Sequence, residues 1–149
     1  HPPLRVSHPL NFDRESMTQA TLFVCSLCRF SRKEPTQNGL SGGEHLIQQL
    51  QAELQAKNLE SAIQLQPVRC MAACSDACNV TLTATDKITF ILSGLAPTES
   101  APDLATFCQQ YVAASEGKVP YKERPDIIRE STAFVLPPFP VTSRLSQAI

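Results

Sequence analysis

The hydrophobic pattern changes period several times along the chain. Residues 21–25 (TLFVC) are β-formers and apolar on both faces, which predicts a strand buried inside a parallel sheet. A polar, charged stretch over 26–40 breaks this pattern and reads as a loop. From residue 42 the period becomes helical, with Leu46, Ile47, Leu50 and Leu54 on one stripe and Gln and Glu opposite. Ser41 and Glu44 have capping-box spacing, so each side chain can satisfy the other's free backbone N–H. The helix is expected to end near Lys57 and Asn58.

Residues 62–68 alternate Ile63 and Leu65 with Gln64 and Gln66, which predicts a second strand. A cysteine-dense loop follows over 69–78 (RCMAACSDAC). Strands over 79–84 and 88–92 flank Thr85, Asp86 and Lys87 and read as a hairpin. The last helix is expected from about residue 100, with Pro102 tolerated in its first turn. Leu104, Phe107, Cys108, Tyr111 and Val112 fall on one face of it, and Gly117 is the expected stop. A strand–helix–strand unit makes a right-handed crossover between parallel strands. Adding the hairpin and a final helix gives an α/β thioredoxin-like sandwich of order β-α-β-loop-β-β-α, with Pro-rich terminal extensions. A ferredoxin-like α+β arrangement is the alternative.

Eight of the twelve prolines lie outside residues 17–116, whereas all six cysteines lie inside. Residues 1–16 therefore read as an irregular N-terminal extension, with Met17 directly before the first strand. Residues 17–117 read as the cysteine-bearing domain, and 118–149 as a Pro-rich tail. Ile127, Ile128, Phe134, Val135 and Leu136 are too apolar for a free tail, so it is expected to pack partly on the domain.

The formal charge of −1 excludes a strongly basic nucleic-acid binder. No apolar run approaches the ~20 residues of a membrane span, and the start lacks the apolar stretch of a secretory signal. A cytoplasmic address is expected, where reducing conditions make clustered cysteines metal ligands or redox groups rather than disulfides. No Ser/His/Asp set, phosphate-binding glycine loop or carboxylate pair stands out, so an enzymatic reading has little support.

Cys25-x2-Cys28 and Cys70-x3-Cys74-x3-Cys78 each follow one of the first two strands. If those strands are parallel neighbours, both loops emerge at the carboxyl edge of the sheet, where such sheets place ligands. One composite site is expected from Cys25, Cys28, Cys70, Cys74 and Cys78. Four thiolates can close a zinc site or hold an iron–sulfur cluster. Cys108, on an apolar helical stripe, reads as core. His45 reads as an exposed or capping residue. Arg29, Arg32 and Lys33 crowd the first loop and could lower nearby thiol pKa values; a solvated loop is the plainer reading.

LFVCSLCRF, SGGEHLIQQLQAEL, VRCMAACSDACNVTL and VPYKERPDIIRE together resemble a bacterial family of predicted metal-binding proteins, domain-of-unknown-function family 1636. That family is similar to thioredoxin-like [2Fe-2S] ferredoxins. The resemblance implies a thioredoxin-like fold with a [2Fe-2S] cluster, Cys25 matching the first ligand and Cys70 and Cys74 the closing pair. The remaining ligand position of the ferredoxins falls in Asn38-Gly39-Leu40-Ser41, which holds no cysteine. Cys28, with Cys78 as alternate, then completes the set of Cys25, Cys28, Cys70 and Cys74, and zinc is the competing metal.

The expected function is electron transfer or metal handling, with an unidentified redox or metal-handling protein as partner. No nucleic acid or membrane is expected, and a homodimer is left open. The rival of a different class is thiol–disulfide exchange through Cys25-x2-Cys28. Against it, the capping box comes 13 residues after Cys28, and Cys78 stands where a thioredoxin has proline before its hairpin.

Overall fold

A computed structural model of the chain describes residues 20–69 and 78–138. Strand β1, Ala20–Cys25, is central: it pairs parallel with β4, Ile63–Val68, on one side and antiparallel with β5, Val80–Thr83, on the other. Strand β6, Thr89–Leu92, completes the hairpin with β5, and Asp86 takes a left-handed φ of 65° in the turn. The sheet order is β4-β1-β5-β6-β7, where β7 is Thr132–Leu136. Within the first four strands only β5 is reversed. This is the thioredoxin-like arrangement. The ferredoxin-like alternative fails because it sets another strand between the two that flank the crossover helix, whereas β1 and β4 pair directly.

The crossover helix α1, Gly42–Ala56, starts as its sequence dictates. Ser41 Oγ accepts from Glu44 N–H at 3.1 Å, and Glu44 Oε1 accepts from Ser41 N–H at 2.9 Å. Leu46, Leu50 and Leu54 are buried, Ile47 is half-buried, and Asn58 takes a left-handed φ of 57° just beyond the helix. Helix α2, Ala101–Ala113, packs beside α1 and buries Leu104, Phe107, Cys108 and Tyr111. Its aromatic side chains meet β6 edge-to-face, with Phe90 and Phe107 centroids 4.9 Å apart.

The end of α2 differs from expectation. The helix stops at Ala113, and Gly117 lies after the next turn with φ 73°, where a Cβ would fall 2.6 Å from the Tyr111 ring. The last carbonyls of α2 are met instead by the Lys87 ammonium, which donates to Tyr111 O at 3.0 Å and Val112 O at 3.1 Å. A cation at a helix C-terminus also opposes the partial negative charge there.

Four elements were not expected from the sequence. Thr36–Gln37 (β2) and Leu40–Ser41 (β3) form a small hairpin inside the polar loop. Helix α3, Asp126–Ser131, buries Ile128, and β7 adds a fifth strand to the main sheet. Val119 is buried as well, so this part of the tail packs on the rest of the molecule. Phe134, Val135 and Leu136 nevertheless remain exposed. No helix among the described residues is long and apolar enough to cross a membrane.

Candidate functional site

The parallel register sets Cys25 opposite Val68, so β1 and β4 end at one edge of the sheet. Antiparallel β5 begins at that same edge, with Val80 opposite Val24. Three chain segments therefore converge there: the turn after Cys25, the end of β4 and the approach to β5.

Beyond Cys25 the chain turns back onto the start of α1. Ser26 N–H and Oγ both donate to Val68 O, at 2.8 and 3.0 Å. Ser41 Oγ donates to Ser26 O, and Gly43 N–H donates to Cys28 O at 3.2 Å. Two glycines allow this closeness. A Cβ on Gly43 would lie 1.9 Å from Cys25 O, and one on Gly42 would lie 2.2 Å from Arg29 O. The cysteine turn thus rests on the helix N-terminus although 13 residues of sequence separate Cys28 from Ser41. Separation along the chain is therefore no argument against a thioredoxin-like placement of these thiols.

Cys25, Cys28 and Cys78 are all buried, at 1%, 0% and 0% exposure. Cys78 is anchored by two backbone hydrogen bonds with Leu95, its N–H donating to Leu95 O at 2.8 Å and its carbonyl accepting from Leu95 N–H at 3.1 Å. Cys25 N–H donates to Asn79 O at 3.0 Å, tying the strand end to the β5 approach. Cys25 Sγ lies 3.9 Å from Arg69 O.

Cys28 is the electrostatic centre. Hydrogen bonds from the Cys78 thiol above all, then from Cys25 and Asn79, outweigh the burial that opposes ionisation and lower its pKa to about 5. Asn79 Nδ2 donates to Cys28 Sγ at 3.4 Å. Cys78 shifts the opposite way: its proton is held by the Cys28 sulfur, and burial and the neighbouring negative charge add to the rise. Within the Cys28–Cys78 pair the negative charge therefore sits on Cys28 and the proton on Cys78. The donors that hold the charge are thiols and an amide. Arg29, Arg32 and Lys33 are exposed, and the Arg29 guanidinium bonds Ser31 O and Arg32 O of its own loop.

Two other expectations resolve. Cys108 lies fully buried in the core, where burial pushes its thiol up to about 12. His45 neither caps α1 nor joins the thiols: its Nε2 lies 2.8 Å from Gln37 O, and its ring meets Phe30 edge-on at 5.1 Å. Cys70 and Cys74 lie outside the described residues. Among the described residues, no three His, Cys, Asp or Glu side chains are arranged to hold a metal ion by themselves. Sequence reading passed over Asn79, Gly42 and Gly43. A polar residue beginning a buried strand, and a glycine pair at a helix start, were the signals available.

A solved structure, the wild-type thioredoxin-like [2Fe-2S] ferredoxin from Aquifex aeolicus, is similar at 16% identity and a TM-score of 0.49, covering 78% of this chain and 97% of that one. No curated protein matches. Residues 22–138 match the sequence family described as protein of unknown function (DUF1636), and the chain belongs to that family.

Proposed function

We propose that the chain is a metal-binding protein whose cysteines hold a thiophilic centre, a [2Fe-2S] cluster in the leading reading, at the carboxyl edge of the sheet. The observation that carries this is the meeting of Cys25 and Cys28 with Cys78, which is 50 residues further along the chain than Cys28. Sulfur donors that are buried and mutually close, with Cys28 already ionised, suit a soft or borderline metal. Cys78 moves from alternate to principal donor in this reading, beside Cys25 and Cys28.

One of Cys70 and Cys74 supplies the fourth donor in the proposal. The chain leaves β4 at Arg69, whose carbonyl lies 3.9 Å from Cys25 Sγ, and rejoins the thiols at Cys78. Both anchors of the intervening segment thus stand at the site, which supports drawing the fourth ligand from its two cysteines. An iron–sulfur cluster there would supply one-electron transfer. The chain's own part is to bury the thiols, to hold Cys28 ionised through the Cys78 and Cys25 thiols and Asn79 before a metal binds and displaces the thiol protons, and to fix the turn on α1.

Anaerobic purification followed by a visible spectrum and metal analysis tests this. Brown protein with about two irons per chain supports the cluster. Colourless protein with one zinc transfers the reading to a zinc module. Metal-free protein that reduces a disulfide, and loses this with Cys28→Ser, replaces both with thiol–disulfide exchange. Cys108→Ala is expected to leave the metal content unchanged.

A further inference from the structure

The two edges of the main sheet are built differently. At one edge, β4 carries exposed Gln64 and Gln66 and also Pro67, whose nitrogen has no hydrogen to offer another strand. At the other edge, β7 reads Thr-Ala-Phe-Val-Leu, without charge, proline or glycine. Phe134, Val135 and Leu136 are 63%, 48% and 41% exposed, so apolar side chains stand out on both faces of this strand. Among the described residues no strand pairs with the outer side of β7, and the irregularity in its ladder, at Ile91 and Leu92, lies on the inner side. Among the described residues, β7 itself carries none of the charges or prolines that protect an edge, and Pro137 and Pro138 follow only after it ends.

We propose that β7 is the contact surface of a homodimer, in which two copies pair antiparallel about a twofold axis at Phe134 and join their sheets. Any extended chain can add to an open edge, but two properties select a second copy. The first is self-complementarity. Pairing about Phe134 sets Phe134 opposite Phe134, Ala133 opposite Val135 and Thr132 opposite Leu136, so no charge is buried and large residues meet smaller ones on either side of the axis. The second is closure. Once the β7 edges are joined, the outer edges are the two β4 strands, guarded by glutamines and Pro67, so association stops at two. This inference is independent of the metal reading.

Sedimentation velocity of the full chain, from about 1 to about 200 µM, is expected to show a species of twice the 16.3 kDa chain mass. Phe134→Lys sets two ammonium groups opposite each other and is expected to weaken the dimer at least about tenfold. Phe134→Glu should do the same, and an equimolar mixture of the two variants should restore the dimer. A monomeric wild type across the range, a Phe134→Lys dimer of unchanged affinity, or a mixture that stays monomeric overturns the proposal. Hydrogen exchange on the wild type decides the matter if the variants do not fold. Protection of residues 132–136 should fall on dilution. Protection independent of concentration would mean that the same chain covers the edge, and would also overturn the proposal.

Discussion

Cys28 keeps a thiolate in a buried place by hydrogen bonding, since its stabilising donors are Cys78, Cys25 and Asn79. In the reduced, metal-free protein, ultraviolet thiolate absorbance is expected to titrate near 5, far below the ordinary 9.0 of a cysteine. The folded pKa is the depressed one, so the group's contribution to stability is complete above the unfolded value. That contribution is lost as pH falls through the window from 9.0 to about 5. Cys108, its thiol pushed up to about 12 by burial, is present in both wild type and Cys28→Ser, so its own pH dependence cancels in the comparison. Urea unfolding near pH 6 and near pH 8.5 checks the sign: the stability advantage of wild type over Cys28→Ser should be larger at the higher pH. An advantage that shrinks with rising pH would show that the thiolate resides elsewhere. The cysteine chemistry was legible because clustered thiols are rare and their spacing is conspicuous. The part played by Asn79 was not, because an asparagine before a strand reads as an ordinary strand boundary.

At the scale of elements, the period of the apolar residues predicted β1, α1, β4, the β5–β6 hairpin and α2 to within a few residues, and the capping box placed the start of α1. Elements without a period of their own were missed. The two-residue strands β2 and β3 are too short to carry one, and β7 sits among tail prolines with its partner β6 about 40 residues earlier. The close seat of the cysteine turn on α1 also escaped, because the glycine pair shows its purpose only when the opposing carbonyls are in place. Gly43→Ala tests that seat. The added Cβ would meet Cys25 O at 1.9 Å, and neither backbone can yield without moving the turn. A loss of about 3 kcal/mol is expected, at the upper end of single substitutions. Ser41→Ala, which removes a cap, should cost about 1 kcal/mol. Denaturant titration of the two variants measures the difference. Equal losses would mean that the turn has room to shift away from the helix.

For the molecule as a whole, the convergence of the thiols was legible through one step: parallel neighbouring strands end at the same edge. The arrival of Cys78 at that edge depends on β5 running antiparallel beside β1, which a hairpin prediction alone does not specify. The thiols lie at the end of the main core and are continuous with it: Cys25, Cys28 and Cys78 belong to the same buried cluster as the apolar side chains of the sheet and helices. The largest fully buried side chains of that cluster include Tyr111, Phe90, Phe107, Leu22, Leu46 and Leu82, drawn from both long helices and three central strands, so apolar residues supply most of its buried volume. A chain of 149 residues can bury enough apolar surface to fold without a metal, unlike small domains that depend on one. The double variant Cys25→Ala/Cys78→Ala is therefore expected to keep the far-ultraviolet circular dichroism of the wild type and a single cooperative thermal transition. For a loss of about 2 kcal/mol, Tm should fall by about 4–8 °C relative to the metal-free wild type. Added hydrogen exchange should be confined to residues 25–30, 41–44 and 78–80, which the hydrogen bonds of Ser26, Ser41, Gly43 and Asn79 tie together. Exchange spreading through β6 and α2 would show that the thiol edge supports the whole fold, and that the packed interior is insufficient alone.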